Sequence, residues 1–191
     1  MTPALTRRLL LQLAGCASLS GALAGAVRAE GGPVTAPPAG PGFANATPNG
    51  ASADRIVFAI PPNIESLNYN TAALAPTITL GSALTQISQP IHIDASTQPG
   101  YAGTPLVQIS GGGTVTQAFD LNTGSTGSTV RGFILSSFTQ YGVYANVSNS
   151  HTIAGNWIGL ARDGVTGTSS GNGIYLAHST GRTNGGTSAA D

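Results

Sequence analysis

Ser128-Thr-Val-Arg-Gly-Phe-Ile-Leu135 is followed by a second passage of the same pattern, His151-Thr-Ile-Ala-Gly-Asn-Trp-Ile158. Val130 in the first passage corresponds to Ile153 in the second, so the two are offset by 23 residues (130 to 153). Each passage combines β-branched and aromatic residues with a central glycine, which is typical of extended chain that meets a bend. A fixed period of this size predicts a solenoid, in which the short strands of successive repeats stack on one another.

Further strand-like runs occur on both sides of this repeat. Each is apolar or β-branched and is bounded by Gly, Pro, Asn, Ser or Thr, as short strands require. The runs outside the two repeated passages are 56–60, 77–80, 91–94, 106–109, 118–121, 142–145 and 173–176.

Two all-β architectures fit this spacing, an antiparallel sandwich and a parallel β-helix. A sandwich is expected to contain two-residue Asn-Gly or Asp-Gly hairpin turns between its strands. The Asn-Gly pair at 49–50 lies in a Pro/Gly/Ala-rich stretch, and the Asp-Gly pair at 163–164 lies in a longer polar loop. The 23-residue repeat and the Gly-Asn pairs at 155–156 and 171–172 favour the β-helix, where asparagines at bends form hydrogen bonds along the stack.

The first 29 residues predict an export signal that includes an N-terminal signal helix. Arg7 and Arg8 precede an uncharged run rich in Leu, Ala and Gly, which extends to Val27. This order of charged, apolar and small residues is that of a secretory signal, and the paired arginines resemble a twin-arginine signal. The sequence therefore predicts a bacterial protein that is secreted or displayed at the cell surface.

Three fates of this segment remain open. Cleavage after Ala26 or Ala29 would release a soluble protein. Lipidation of Cys16, which closes a lipobox-like sequence at 13–16, would make the protein a lipoprotein. An uncleaved helix would be barely long enough to span a bilayer. Association with a membrane is thus expected only through the signal or a lipid anchor.

Composition limits the remaining functions. Residues 30–54 are rich in Pro, Gly and Ala and predict a disordered linker, which leaves 55–191 as the folded domain. Seven basic residues balance seven acidic ones, and such a chain has no basic patch for nucleic acid. Because Cys16 is the single cysteine, the mature domain is expected to have no disulfide and no cysteine-based metal site.

Six segments of the chain carry a resemblance to a known family, and they are 54–61, 91–101, 103–107, 127–132, 154–159 and 185–190. Together they resemble bacterial right-handed parallel β-helix repeat proteins, which are similar in fold to the pectate-lyase superfamily. The resemblance covers residues 54–191 and departs from the family pattern at Asn184, where an apolar residue is usual. It implies an exported, surface-associated protein whose rungs continue beyond Asp191, so that the β-helix at 55–191 is incomplete.

Polysaccharide-cleaving β-helices use clustered carboxylates, calcium and a basic group, which makes Asp94, Asp120 and Arg131 the residues to consider. Asp94 and Asp120 are 26 residues apart (94 to 120), close to one turn of a solenoid. They form either a carboxylate pair or two separate strand-end aspartates that cap turns. Arg131 follows the inward Val130 and is expected to point outward, where it either binds an acidic sugar or is solvated.

Tyrosines and histidines give the other candidates. Tyr144 and Tyr175 occupy matching positions in two strand-like runs. If both point outward they form an aromatic stack that could hold a sugar; otherwise they pack against a loop. His92 and His151 are interpreted as outward polar positions, and no histidine pair has metal-ligand spacing.

The resulting hypothesis is a non-enzymatic, exported β-helix module for attachment or scaffolding that binds carbohydrate. Its partners would be polysaccharide or other cell-surface components, and no cofactor or metal is predicted. The alternative is a polysaccharide lyase or glycoside hydrolase whose active rungs lie mostly beyond residue 191. The candidate binding residues are Asp94, Asp120, Arg131, Tyr144 and Tyr175.

Overall fold

The computed structural model describes residues 27–30, 53–60, 77–168, 170–181 and 183–185. Within these ranges the chain is all-β apart from one 3-10 turn at Ala95–Thr97. The strands are β1 (Val27–Glu30), β2 (Asp54–Phe58), β3 (Thr77–Thr79), β4 (Ile91–Asp94), β5 (Val107–Ser110), β6 (Gln117–Leu121), β7 (Thr129–Arg131), β8 (Phe133–Ser136), β9 (Tyr141–Asn146), β10 (Thr152–Ala154), β11 (Trp157–Ile158), β12 (Asn172–Ala177) and β13 (Thr183–Asn184).

The strands form three sheets, and the chain visits the sheets in a repeating order. Sheet 1 has the order β1-β2-β4-β7-β10-β13, sheet 2 the order β3-β5-β8-β11 and sheet 3 the order β6-β9-β12. All pairings other than that of β1 with β2 are parallel. We call one passage through sheets 1, 2 and 3 a rung. The topology is compatible with a β-helix or other solenoid and is not that of an antiparallel sandwich.

Four rungs follow one another in the described residues. Rung 1 contains β2 and β3 and reaches sheet 3 at Ile87, which forms a single parallel bridge to Leu121. Rung 2 contains β4, β5 and β6, rung 3 contains β7, β8 and β9, and rung 4 contains β10, β11 and β12. Strand β13 then pairs with β10 and returns the chain to sheet 1.

The predicted register of the two repeated passages is confirmed. Ile153 pairs with Val130 in sheet 1, and Ile158 pairs with Leu135 in sheet 2. Each passage is two strands in two different sheets rather than one continuous strand, because the chain bends at its glycine. Gly132 and Gly155 adopt positive φ angles of 78° and 60°, a conformation that favours glycine.

The space between the three sheets is filled by apolar side chains from every rung. Phe133 lies near the centre of this core, with its ring centroid 5.3 Å from that of Phe58 and 5.4 Å from that of Phe119. These phenylalanines come from three successive rungs and are fully buried. Burying a side chain of this size contributes roughly 1.5–3 kcal/mol, so the core is the main source of stability in a domain whose rungs each bury little alone.

Side-chain amides add hydrogen bonds between rungs where the backbone ladder is interrupted. Asn156 accepts a hydrogen bond from the Phe133 amide at 3.0 Å and donates one to the Val130 carbonyl at 2.9 Å. Gln98 does the same for both backbone groups of Ile60, at 2.9 Å each. The expectation that asparagine at a bend bonds to backbone along the stack is therefore confirmed at Asn156.

The first edge of sheet 1 is covered by β1, which runs antiparallel to β2. A reversed strand at this edge pairs the backbone groups of β2 that would otherwise be open to another chain. Apart from Val27–Glu30, which are extended, the predicted signal helix and most of the predicted linker lie outside the described residues. Among the residues that are described, no helix is long and apolar enough to cross a membrane.

Candidate functional site

The outer faces of the three sheets differ in what covers them, and sheet 2 is covered by the chain itself. Residues 159–168, which we call the strap, leave β11 and fold back on themselves through a bridge between Leu160 and Gly167. Arg162 of the strap donates hydrogen bonds to Thr77 Oγ1 at 2.6 Å and to Gln108 Oε1 at 3.2 Å. These acceptors lie on β3 and β5, so the strap crosses the outer face of sheet 2.

The outer face of sheet 1 carries an ion-pair row. Asp94 Oδ2 lies 3.2 Å from Arg55 Nη2, and Asp94 Oδ1 lies 3.8 Å from Arg131 Nε. Asp94 also caps the 3-10 turn by accepting a hydrogen bond from the Ser96 amide at 3.0 Å. Its carboxylate oxygens are therefore used in fixing the turn and in holding two guanidinium groups.

The outer face of sheet 3 is built by an unusual pattern of inward and outward residues. In β6 and β9 the first and fourth residues are partly exposed, while the second, third and fifth are buried. Gly142 occupies the second position of β9, where a Cβ atom would collide with Ile158 of sheet 2 and with the backbone of Gly173. Tyr141 and Tyr144, three residues apart, consequently project from the same face.

Three tyrosine rings form a cluster on this face. The rings of Tyr144 and Tyr175 are parallel within 1°, with their centroids 5.4 Å apart, because the two residues are register partners in β9 and β12. The Tyr141 ring is tilted by 38° to Tyr144 and by 39° to Tyr175, at centroid distances of 5.4 and 5.1 Å. Tyr175 is 43% exposed, which makes it the most open of the three rings.

A carboxylate and two amides continue the cluster toward the first rungs. Asp120 is the register partner of Tyr144 in β6. Its Oδ2 accepts hydrogen bonds from Gln86 Nε2 at 3.1 Å and from Gln117 Nε2 at 3.3 Å, while its Oδ1 is buried without a hydrogen bond in the described part of the chain. We call Gln86, Gln117, Asp120, Tyr141, Tyr144 and Tyr175 the aromatic strip.

The candidate residues predicted from the sequence thus separate into two groups. Asp94 and Arg131 lie together on sheet 1, and Asp120, Tyr144 and Tyr175 lie together on sheet 3. Asp94 and Asp120 belong to different sheets of one rung, and in the described residues no hydrogen bond or ion pair joins them. Tyr141 was missing from the predicted set. Its spacing of three from Tyr144 became informative only once the two consecutive inward residues between them were known.

The two histidine interpretations have different outcomes. His92 is partly exposed, and its Nδ1 lies 2.9 Å from Thr129 Oγ1 on the neighbouring strand. His151 is only 1% exposed, so its prediction as an outward residue is wrong. Its Nε2 lies 2.7 Å from Ser148 Oγ, which provides a buried hydrogen-bond partner in the turn before β10. The prediction for His151 was wrong because the turn that contains this residue is packed inside the fold.

No group of three or more His, Cys, Asp or Glu side chains that could hold a metal ion is found among the described residues. One carboxylate, Asp163 in the strap, has a pKa below its ordinary value of 3.8. The cause is the hydrogen bond from the Thr166 hydroxyl, followed by those from the Val165 and Thr166 amides. These bonds hold the turn of the strap and leave the carboxylate without an evident chemical role.

No protein-family model matches the chain, and comparisons with curated proteins and with solved structures found no match.

Proposed function

We propose that this protein is an exported, surface-associated right-handed parallel β-helix module that binds carbohydrate through the aromatic strip. The parallel three-sheet topology and the 23-residue register support the β-helix, in line with the resemblance of residues 54–191 to bacterial β-helix repeat proteins. The export signal predicted at residues 1–29 supports a location outside the cytoplasm, where polysaccharides are available as partners.

The observation that carries the proposal is the tyrosine cluster of Tyr141, Tyr144 and Tyr175 beside the Asp120 carboxylate. Sugars combine apolar C–H faces with hydroxyl groups, so they need flat apolar surface next to hydrogen-bonding groups. Tyrosine rings provide the first, and the tyrosine hydroxyls, Asp120 and the glutamine amides provide the second. Sheet 2 lacks such a surface because the strap covers it, and on sheet 1 the central carboxylate is paired with arginines.

The strip runs across the strands and therefore along the stacking axis. Gln86 precedes the bridging residue Ile87, which places it in line with Asp120, Tyr144 and Tyr175 on four successive rungs. Neighbouring strands are about 4.8 Å apart, so this row extends over roughly 14 Å. A row of this length offers one contact per rung to a linear glycan lying along the axis.

Binding to polysaccharides of different composition, measured by affinity electrophoresis with the full chain, tests the proposal. Tyr175→Ala removes the most exposed ring without opening the core, and we expect it to weaken retardation by a bound polysaccharide about tenfold. Val165→Ala is the matched control, since Val165 is an exposed apolar residue on the strap. Equal retardation of the two variants and the parent by every polysaccharide would refute a role of the strip in carbohydrate binding.

The alternative of a lyase or hydrolase gains no support from the described residues. A catalytic carboxylate pair requires two acids facing one bond, whereas Asp94 and Asp120 lie on different sheets with separate partners.

A further inference from the structure

The charges of the described residues are distributed unevenly among the sheet faces. The arginines whose side chains are described lie on sheet 1, as Arg55 and Arg131, or in the strap over sheet 2, as Arg162. On the outer face of sheet 3 the described charged residue is Asp120, which has no cationic partner there, unlike Asp94. The aromatic strip is therefore negatively charged, although the whole chain carries a formal net charge of zero.

The tyrosine rings have the same electrostatic preference as the carboxylate. An aromatic face is the negative part of the ring quadrupole and attracts a cation placed above it. One face of Tyr175 stacks on Tyr144, and the exposed fraction of Tyr175 shows that part of its ring remains open to solvent. Asp120 lies two rungs away on the same sheet face, so a ligand that extends from this ring along the strip reaches the carboxylate.

From these two observations we infer that the strip recognises a linear glycan that carries protonated amino groups, that is, an amino-sugar polymer. The inference deepens the proposed carbohydrate-binding function and rests on it. The sugar ring lies against Tyr175, and an ammonium group of the same chain pairs with Oδ2 of Asp120, since Oδ1 is buried. Asp120 suits this role because Gln86 and Gln117 orient it through Oδ2 without neutralising its charge.

The spacing of the strip favours a polymer over a single sugar. Asp120 and Tyr175 are separated by two rung steps, or about 10 Å, which exceeds the reach of one pyranose ring. A ligand that contacts both must therefore have at least two units. An acidic polymer such as a polyuronate is disfavoured, since its carboxylates would face Asp120 without a compensating cation among the described side chains of this face.

The test compares glucosamine oligomers, N-acetylglucosamine oligomers and galacturonate oligomers of equal length by isothermal titration calorimetry with the full chain. We expect glucosamine oligomers to bind most tightly and galacturonate oligomers most weakly. Asp120→Asn should lower affinity for glucosamine oligomers about tenfold and leave affinity for the acetylated oligomers nearly unchanged. Asp163→Asn is the control, because it neutralises an exposed carboxylate on the strap and retains an oxygen that accepts the turn hydrogen bonds.

The possible outcomes distinguish failure of the amino-sugar inference from failure of the proposed carbohydrate-binding function. If acetylated oligomers bind as tightly as glucosamine oligomers, with sensitivity to Tyr175→Ala but not to Asp120→Asn, the amino-sugar inference is wrong and carbohydrate binding stands. If none of the three oligomers binds, the amino-sugar inference is wrong; carbohydrate binding is also wrong if no polysaccharide retards the parent more than Tyr175→Ala. Binding of oligolysine as tight as that of glucosamine oligomers would overturn the assignment to a glycan, and galacturonate binding as tight as glucosamine binding would overturn the charge argument.

Discussion

At the scale of single residues, the turns between sheets depend on glycine for two separable reasons, which Gly132 between sheets 1 and 2 and Gly127 between sheets 3 and 1 illustrate. Gly132 has a φ of 78°, and a Cβ atom there would lie 2.6 Å from the Ser96 backbone nitrogen of the preceding rung. Gly127 has a similar φ of 83°, but a Cβ atom there would have no heavy atom within 4 Å. Comparing Gly127 with Gly132 therefore separates the cost of a positive φ angle from the cost of a side chain between closely packed rungs.

We predict that Gly127→Ala destabilises the fold by about 1–2 kcal/mol, the cost of a non-glycine residue at positive φ. Gly132→Ala should cost about 1–3 kcal/mol more, because the added methyl group overlaps backbone that cannot move without shifting the neighbouring rung. Urea denaturation followed by circular dichroism measures both differences. Equal midpoints for the two variants would mean that rung separation at Gly132 is looser than the structure indicates.

At the scale of structural elements, the strap is held by local hydrogen bonds at its tip and by Arg162 at its side. Asp163 accepts hydrogen bonds from the amides of Val165 and Thr166 at 2.9 and 2.8 Å, and also from the Thr166 hydroxyl. These bonds favour the ionised carboxylate, so the pKa of Asp163 is lower in the folded strap than its ordinary value.

A lowered pKa in the folded state makes the strap turn sensitive to acid. The stabilising contribution of Asp163 is fully present above about pH 3.8 and is lost as the pH falls through the lower pKa of the folded carboxyl group. We expect the amide chemical shifts of Val165 and Thr166 to change together in this acid range, as followed by NMR. In Asp163→Asn the same amides should not titrate; a titration that persists in this variant would assign the effect to another group.

The elements show where prediction from the sequence succeeds. The pairing of Val130 with Ile153 was predictable because the two repeated passages match residue by residue. The period is not fixed along the chain, since Val130 also pairs with Ile93, 37 residues earlier (93 to 130). The stack of Tyr144 and Tyr175 was one of two alternatives left open by the sequence, and it forms because matching positions of parallel strands lie side by side. The pattern of two consecutive inward residues in β9 was not predictable from alternation, because it depends on Ile158 of another sheet filling the space beside Gly142.

At the scale of the whole molecule, the strap connects rungs that are not neighbours. Stacked repeats interact with the repeats beside them, so their stability is close to a sum of local terms. Arg162 follows β11 of rung 4, yet it bonds to Gln108 of rung 2 and to Thr77 of rung 1. Such long-range contacts cannot be predicted from the repeats in the sequence. The separation of the candidate residues onto two sheet faces could not be predicted either, because it depends on the folded arrangement.

The strap is expected to couple the unfolding of rungs that do not touch each other. Arg162→Gln removes a charged donor from Thr77 and Gln108 and shortens the side chain that crosses sheet 2. We predict that amides of β3 and β5 then exchange with solvent at a free energy of opening about 1–3 kcal/mol lower, while amides of β8 and β9 change less. Hydrogen exchange under native conditions measures each strand separately.

Arg131→Gln is the matched control for this experiment, because it removes a guanidinium whose ion-pair partner, Asp94, lies on the adjacent rung. Its effect should remain within β4 and β7 and be small, because the pair is partly exposed and its atoms are 3.8 Å apart. If Arg162→Gln lowers protection uniformly in all three sheets, the described rungs already unfold as one unit and the strap adds only stability. If protection falls in β3 and β5 alone, the strap joins rungs 1 and 2 to rung 4. The stability of this stack then depends, through one side chain, on contacts between rungs that are not neighbours.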